Sequence, residues 1–210
     1  IAQLRDMGMA NVYFKMAGFD PEDLEHVLRL ASKAQVDMVT FDGAGGGSGY
    51  SPCKMMNEWC LPTVVMESIL YGILDKLAAE GMELPHVAIT GGFATEDQVY
   101  KALALGAPYV KAVCMSRSFM IPAFLGCNIE GALHPERRER VHGAWSALPK
   151  TVLDIGDTPE TIFAGYHALK ERLGADEMAH IPYGAIAMWT MCDRLGAGLQ
   201  HHMAGARKFG

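Results

Sequence analysis

The chain has no excess of basic residues. Eighteen Lys and Arg stand against 24 Asp and Glu, a formal net charge of −6, so the positive footprint of a nucleic-acid binder is missing. There is no apolar run near the ~20 residues that span a bilayer. The most apolar stretch, "IPYGAIAMWTMC", is short and carries Pro and Gly breakers. C-x-x-C pairs are also lacking. Cys53, Cys60, Cys114, Cys127 and Cys192 are odd in number and widely spaced, which argues against a disulfide framework or a zinc site and for free thiols in a reducing cytoplasm. Adjacent His201 and His202 cannot share one helix face, and read as a surface tail rather than metal ligands. No signal peptide is visible, and a first residue of Ile1 rather than Met fits a start part-way along a longer chain.

What is present reads as a globular domain: 210 residues, half hydrophobic and a fifth charged, enough for one substantial core. A strand-then-helix unit recurs. "NVYFKMAG" (11–18) is a short buried strand, and "DPEDLEHVLRLASKA" follows with Asp20 as N-cap and Pro21 at the first helical position, the expected start of a helix. "VDMVTFDG" (36–43) and "HVAITGG" (86–92) are the second and third strands. Between them, "PTVVMESILYGILDKLAAEG" repeats apolar residues at helical spacing up to Gly81. Thr95 and Gln98 are spaced as a capping box before "VYKALALGA", and "YVKAVCM" (109–115) is a fourth strand. Alternating strands and helices predict a parallel α/β sheet. Beyond Glu130, "HPERRERVHGAW" reads as a solvated helix face and "DTPETIFAGYHALKERLGA" as one capped amphipathic helix. The remainder reads as helix interrupted near Pro182 and Gly196.

Two places carry chemistry. Behind the second strand, five of the seven positions from Gly43 to Gly49 are glycine, a pattern of sharp turns or of backbone approaching a ligand. After the third strand, Gly91 and Gly92 lie where free N–H groups and a helix N-terminus favour an anion, and Ser116 and Arg117 follow the fourth strand at the same edge. As the last two strands of a barrel, these would form a phosphate site. Lys15, in an apolar strand, is either an outward lysine at a sheet edge or a cation facing an electron-rich ligand, since a buried ammonium needs a partner.

"DGAGGGSGYSP", "ITGGFATEDQVYKALALGA", "SRSFM" and "LGC" together resemble the FMN-binding (β/α)8 barrel of glutamate synthases, over roughly residues 10 to 130. The resemblance implies the last four βα units of a TIM-type barrel (1–130) with a helical C-terminal extension (131–210). It implies FMN as cofactor, with Lys15 against the pyrimidine edge of the flavin as the catalytic residue. Asp42, Gly43, Gly46, Gly47 and Ser48 would lie in the loop between flavin and substrate, and Gly91, Gly92, Ser116 and Arg117 around the phosphate. The implied reaction is reductive amination of 2-oxoglutarate or a related 2-oxo acid with ammonia. An electron-donor or amidotransferase subunit is the expected partner, and the first four βα units would come from a longer chain or a paired half-barrel. One departure bears on cofactors. Where these enzymes hold a [3Fe–4S] cluster on C-x5-C-x4-C, this chain has Cys127, Leu133 and Arg138, so no iron–sulfur cluster is expected. Two other readings remain open at this point. One is an enzyme resembling IMP dehydrogenase and GMP reductase with Cys53 as nucleophile, Lys54 being its nearest activator. The other is a flavin- or phosphate-binding subunit without catalysis.

Overall fold

The computed structural model describes residues 1–18, 20–44, 46, 51–140 and 154–207. The chain divides into two units, Ile1–Met115 and Ser116–Gly210.

In the first unit, helix α1 (Ala2–Asp6) leads into strand β1 (Tyr13–Ala17). Helix α2 (Pro21–Lys33) starts as its sequence predicts: Asp20 is extended and its side chain accepts from the Glu22 N–H, which satisfies one of the otherwise unbonded first-turn donors. Strand β2 (Met38–Asp42), a π-helical turn at Met55–Trp59 and helix α3 (Thr63–Ala79) follow. Strand β3 (His86–Thr90), helix α4 (Glu96–Leu105) and strand β4 (Val110–Cys114) complete the unit. The Thr95–Gln98 capping box forms, with Gln98 Oε1 accepting from the Thr95 N–H at 3.2 Å. All strand pairs are parallel and the order is β1-β2-β3-β4, so this unit is α/β with a parallel sheet.

Side-chain alternation sorts the sheet into two faces. Val39, Phe41, Val87 and Ile89 point to the helices. There they share a core with Leu24 and Leu28 of α2 and with Met66, Leu70, Leu74 and Leu77 of α3. Those helical positions recur at three- and four-residue steps, the spacing of one buried stripe. The opposite face therefore takes the residues in between, among them Lys15, Thr40, Asp42, Thr90 and Cys114.

The second unit is helical: α5 (Arg117–Leu133), α6 (Pro159–Ile162), α7 (Tyr166–Leu173), α8 (Ala175–Met178) and α9 (Tyr183–Gly205). Ile129, Phe163, Tyr166, Leu169, Met178, Tyr183 and Ile186 form its core. Glu130, wholly buried, accepts from Arg137 at 2.7 Å and from the Tyr183 N–H at 3.1 Å. Both carboxylate oxygens are thus satisfied, as a buried charge requires.

Two sequence expectations are corrected here. The segment read as one helix from Asp157 is two, α6 and α7, because the backbone turns extended at Phe163 and drives that ring into the core. The expected interruption near Gly196 is absent, since α9 runs through it for 23 residues. A lone glycine costs about 1 kcal/mol in a helix, and so long a helix packed on α5 absorbs that. Of "HPERRERVHGAW", Pro135–Arg140 is a 3-10 turn and the remaining residues lie outside those described. His201 and His202 belong to the last turns of α9.

A methyl group at Gly196 would meet nothing within 4 Å. Gly196→Ala should therefore raise stability by roughly 0.5–1 kcal/mol, measured as a shift of the urea midpoint followed by far-UV circular dichroism. An unchanged or lower midpoint would mean that α9 does not pass intact through this position.

Candidate functional site

Parallel register brings Ala17, Asp42, Thr90 and Cys114 to one level at the C-terminal end of the sheet, the edge at which open α/β sheets and barrels place their ligands. Two residues below are Lys15 and Thr40. Two residues of difference keep Lys15 and Asp42 on the same face, and their side chains meet: Lys15 Nζ lies 2.8 Å from Asp42 Oδ2. The lysine is half exposed and the aspartate only 7% exposed. Asp42 Oδ1 is buried and has no hydrogen-bond partner among the described residues. Of the two sequence readings of Lys15, the structure gives a paired cation reaching toward solvent at the sheet's C-terminal edge.

Two thiols stand in the field of this pair. Burial, and then the Asp42 charge, push the Cys60 thiol above its ordinary range. Partial desolvation also raises Cys114, although its residue is exposed, with Lys15 pulling it back and Asp42 adding to the rise. Both are held as thiols rather than thiolates, which keeps them from acting as nucleophiles at neutral pH. Cys53, the candidate nucleophile of the alternative reading, is an exposed free thiol just ahead of the π-helical turn.

The loop after β2 is tied down by backbone hydrogen bonds. The Gly43 N–H donates to Thr90 O at 2.8 Å, Ala44 to Leu61 O at 2.7 Å, Leu61 to Gly18 O at 2.8 Å and Gly46 to Gly43 O at 2.8 Å. At three of the described glycines, the space a side chain would need is filled by the protein itself. A Cβ on Gly43 would lie 2.7 Å from Thr63 Cα, and one on Gly46 would lie 2.9 Å from Asp42 Cβ. Gly91, at φ +124°, would bring its Cβ within 2.6 Å of Thr63 Oγ1 and 2.9 Å of Gly43 O, while Thr63 Oγ1 donates to Gly91 O at 2.8 Å. Thr63 is therefore a hub that locks the loops after β2 and β3 together, and the sequence reading missed it. Gly92 differs: it has φ +80°, is exposed, and a Cβ added there would meet nothing within 4 Å. Gly47 and Ser48 lie outside the described residues. Ser116 and Arg117 open the second unit, as N-cap and first residue of α5.

A second polar feature lies on the helix side of the sheet. Glu67 of α3 is 2% exposed, its Oε1 has no partner among the described residues, and burial raises its pKa from an ordinary 4.5 to about 7. It lines a crevice of about 270 Å³ that also touches Gly91, Gly92 and α4. The sequence did carry a signal for it: Glu67 stands four residues after Thr63 and one after core residue Met66, an acid on the buried stripe of an apolar helix. A larger cavity of about 680 Å³, bordered by Arg5, Asp37 and His86, opens at the N-terminal ends of the strands. It lies away from the edge where the fold presents ligands.

Because the folded state holds the Glu67 proton more tightly than the unfolded chain, its contribution to stability is fully present below about pH 4.5 and is lost as pH rises through about 7. The carboxylates of Glu25, Asp37, Glu80 and Asp97 are shifted down and titrate below that window. Urea midpoints taken from about pH 5 to 8 should therefore fall in the wild type, and Glu67→Gln should flatten that decline. The same decline in both proteins would refute the assignment. Gly91→Ala should cost roughly 1–3 kcal/mol in the same assay, through strained φ and the clash with Thr63. A cost near zero would show that the loop is not locked.

Among known proteins, residues 1–136 match the family model described as a conserved region in glutamate synthase. Among solved structures, the chain resembles the RcsB response regulator of Salmonella typhimurium at 10% identity, over 93% of this chain and 100% of that one. The TM-score is 0.25, a likeness too low to bear on fold or function. No curated protein matches the chain at a significant level. The family match spans well over half the chain and takes in all four strands, the Lys15–Asp42 pair and both glycine loops, so the chain belongs to the glutamate synthase family.

Proposed function

We propose that this chain carries the C-terminal half of a flavin-binding (β/α)8 barrel and acts as an FMN-dependent oxidoreductase. The reaction we assign is reductive amination of 2-oxoglutarate or a related 2-oxo acid with ammonia. The observation that supports this most is the Lys15–Asp42 pair at the C-terminal end of a parallel sheet, with one buried aspartate oxygen still lacking a donor among the described residues. A flat cofactor edge bearing N–H and C=O groups would meet both needs, an N–H for Asp42 Oδ1 and an acceptor for the lysine. FMN, when bound, would supply the redox chemistry of the reaction.

In this reading the chain's own residues do three things. Lys15 places positive charge where negative charge accumulates, and such fixed charges are among the largest contributions to catalysis. Asp42 holds the Lys15 ammonium at 2.8 Å and so orients it, which a half-exposed lysine on a flexible stem otherwise would not manage. Gly92, with open space and a left-handed backbone, is the described residue best suited to present its N–H to a phosphate. Ser116 and Arg117 are assigned to the phosphate by resemblance alone, as are Gly47 and Ser48 to the loop over the flavin. Leu133 and Arg138 cannot supply thiolates, so we assign no iron–sulfur cluster. An electron-donor or amidotransferase partner and a cytoplasmic setting complete the proposal.

A flavin-binding subunit without catalysis is the second reading, and Lys15 separates the two, because binding a phosphate does not call for that cation. The full chain, purified without added cofactor, should show a flavin absorption spectrum that releases FMN on denaturation and has no broad iron–sulfur shoulder. A colourless protein that takes up no added FMN would refute the flavin assignment. Lys15→Met should lower turnover by about two to three orders of magnitude while FMN remains bound. Unchanged turnover would remove Lys15 from the machinery.

A further inference from the structure

The crevice between α3 and α4 poses a separate question: what does a buried carboxyl do on the outer side of the sheet, away from Lys15 and Asp42? Helical spacing places Glu67 inward, beside Met66 and one turn before Leu70. A carboxylate there loses its water and ordinarily finds a donor in exchange. Glu67 Oε1 finds none among the described residues.

The polar groups nearest the crevice make their bonds elsewhere and do not reach Glu67 Oε1. Lys101, the cation of α4 at the crevice, is paired with Asp97 at 2.9 Å. Gln98 accepts from the Ala94 and Thr95 N–H groups at 2.8 and 3.2 Å. Thr63 Oγ1 donates to Gly91 O, and Tyr109 OH donates to Asp75 at 3.1 Å. Gly106 shows that the carboxyl is closely seated, because a Cβ there would come within 2.7 Å of Glu67 Oε1. Burial is the only cause of its raised pKa, so no cation of the described residues compensates it.

The space beside it is far larger than the ~10–15 Å³ one water needs, at about 270 Å³. Val64, Phe93, Ala102 and Leu105 give it apolar walls. A carboxyl lacking a donor among the described residues, lining a largely apolar crevice, complements a molecule with an N–H group on a short hydrocarbon body.

We propose that the crevice between α3 and α4 is a binding site for a small primary amine, whose ammonium donates to the Glu67 carboxyl while its alkyl body lies between Val64, Phe93 and Leu105. The site is distinct from the one assigned to the flavin: the two have only Gly91 and Gly92 in common, and the Lys15–Asp42 pair lies on the other face of the sheet. The proposal stands whether or not the chain binds FMN.

The test is saturation-transfer NMR on the full chain with methyl-, propyl- and butylammonium chloride as probes, at about pH 8 and about 0.15 M salt to screen non-specific attraction to an acidic protein. Butanol and butyrate serve as controls. Butylammonium should bind saturably and more tightly than methylammonium, and butyrate should neither bind nor compete. Glu67→Gln should weaken butylammonium binding at least roughly tenfold, the size of effect expected for losing a hydrogen bond to a charged group. Val64 is 62% exposed, so Val64→Trp keeps the fold while blocking the mouth and should weaken binding comparably. Circular dichroism confirms the fold of each variant, and flavin content is read separately. No saturable amine binding, equal binding by Glu67→Gln, or competition by butyrate would each overturn the proposal.

Discussion

Parallel register is the constraint on which the rest of this structure depends. Four five-residue strands in the order β1-β2-β3-β4 bring their last residues to one level. The two-residue period then decides which of those residues meet. A one-residue slip of β1 against β2 would turn Lys15 into the helix-side core and break its pair with Asp42. What holds the register is the packing of Val39, Phe41, Val87 and Ile89 against α2 and α3. The apolar face of the sheet thus positions the chemistry on the polar face.

The loops above the sheet follow the same logic. Thr63 touches the loops after both β2 and β3, and at Gly43 and Gly91 its contacts leave no room for a side chain. At three of the described glycines, Gly43, Gly46 and Gly91, the absence of a side chain is accordingly required by the protein packing against itself. That rigidity is useful to a binding site, because groups held by a locked scaffold meet a ligand without reorganising. Among the described glycines of these loops, Gly92 is the one where the backbone stays open to the outside.

The sequence made the architecture of the first unit legible because its signals were local. Asp20 and Pro21 start α2, Thr95 and Gln98 cap α4, and each strand is a short apolar run bounded by turn residues. Lys15 and Asp42 could each be singled out, yet their pairing could not. It follows from strand order and register, which connect residues 27 positions apart. Glu67 and Thr63 were overlooked for a related reason: each is one polar residue on the apolar helix α3, where spacing marks Glu67 as inward but only tertiary packing shows that it lacks a donor and that Thr63 is a hub. In the second unit, local signals misled. Gly196 looked like a break where helix length and packing prevailed, and Phe163 looked like part of a continuous helix where burial of its ring prevailed.

Reception of the cofactor at the Lys15–Asp42 edge is tested most directly by titrating FMN into flavin-free wild type and Asp42→Ala while following flavin fluorescence. Saturable quenching is expected in the wild type, with at least roughly tenfold weaker binding in the variant, as a charged hydrogen-bond partner is lost. Equal affinity in the two proteins, both folded, would contradict this assignment and place any flavin elsewhere.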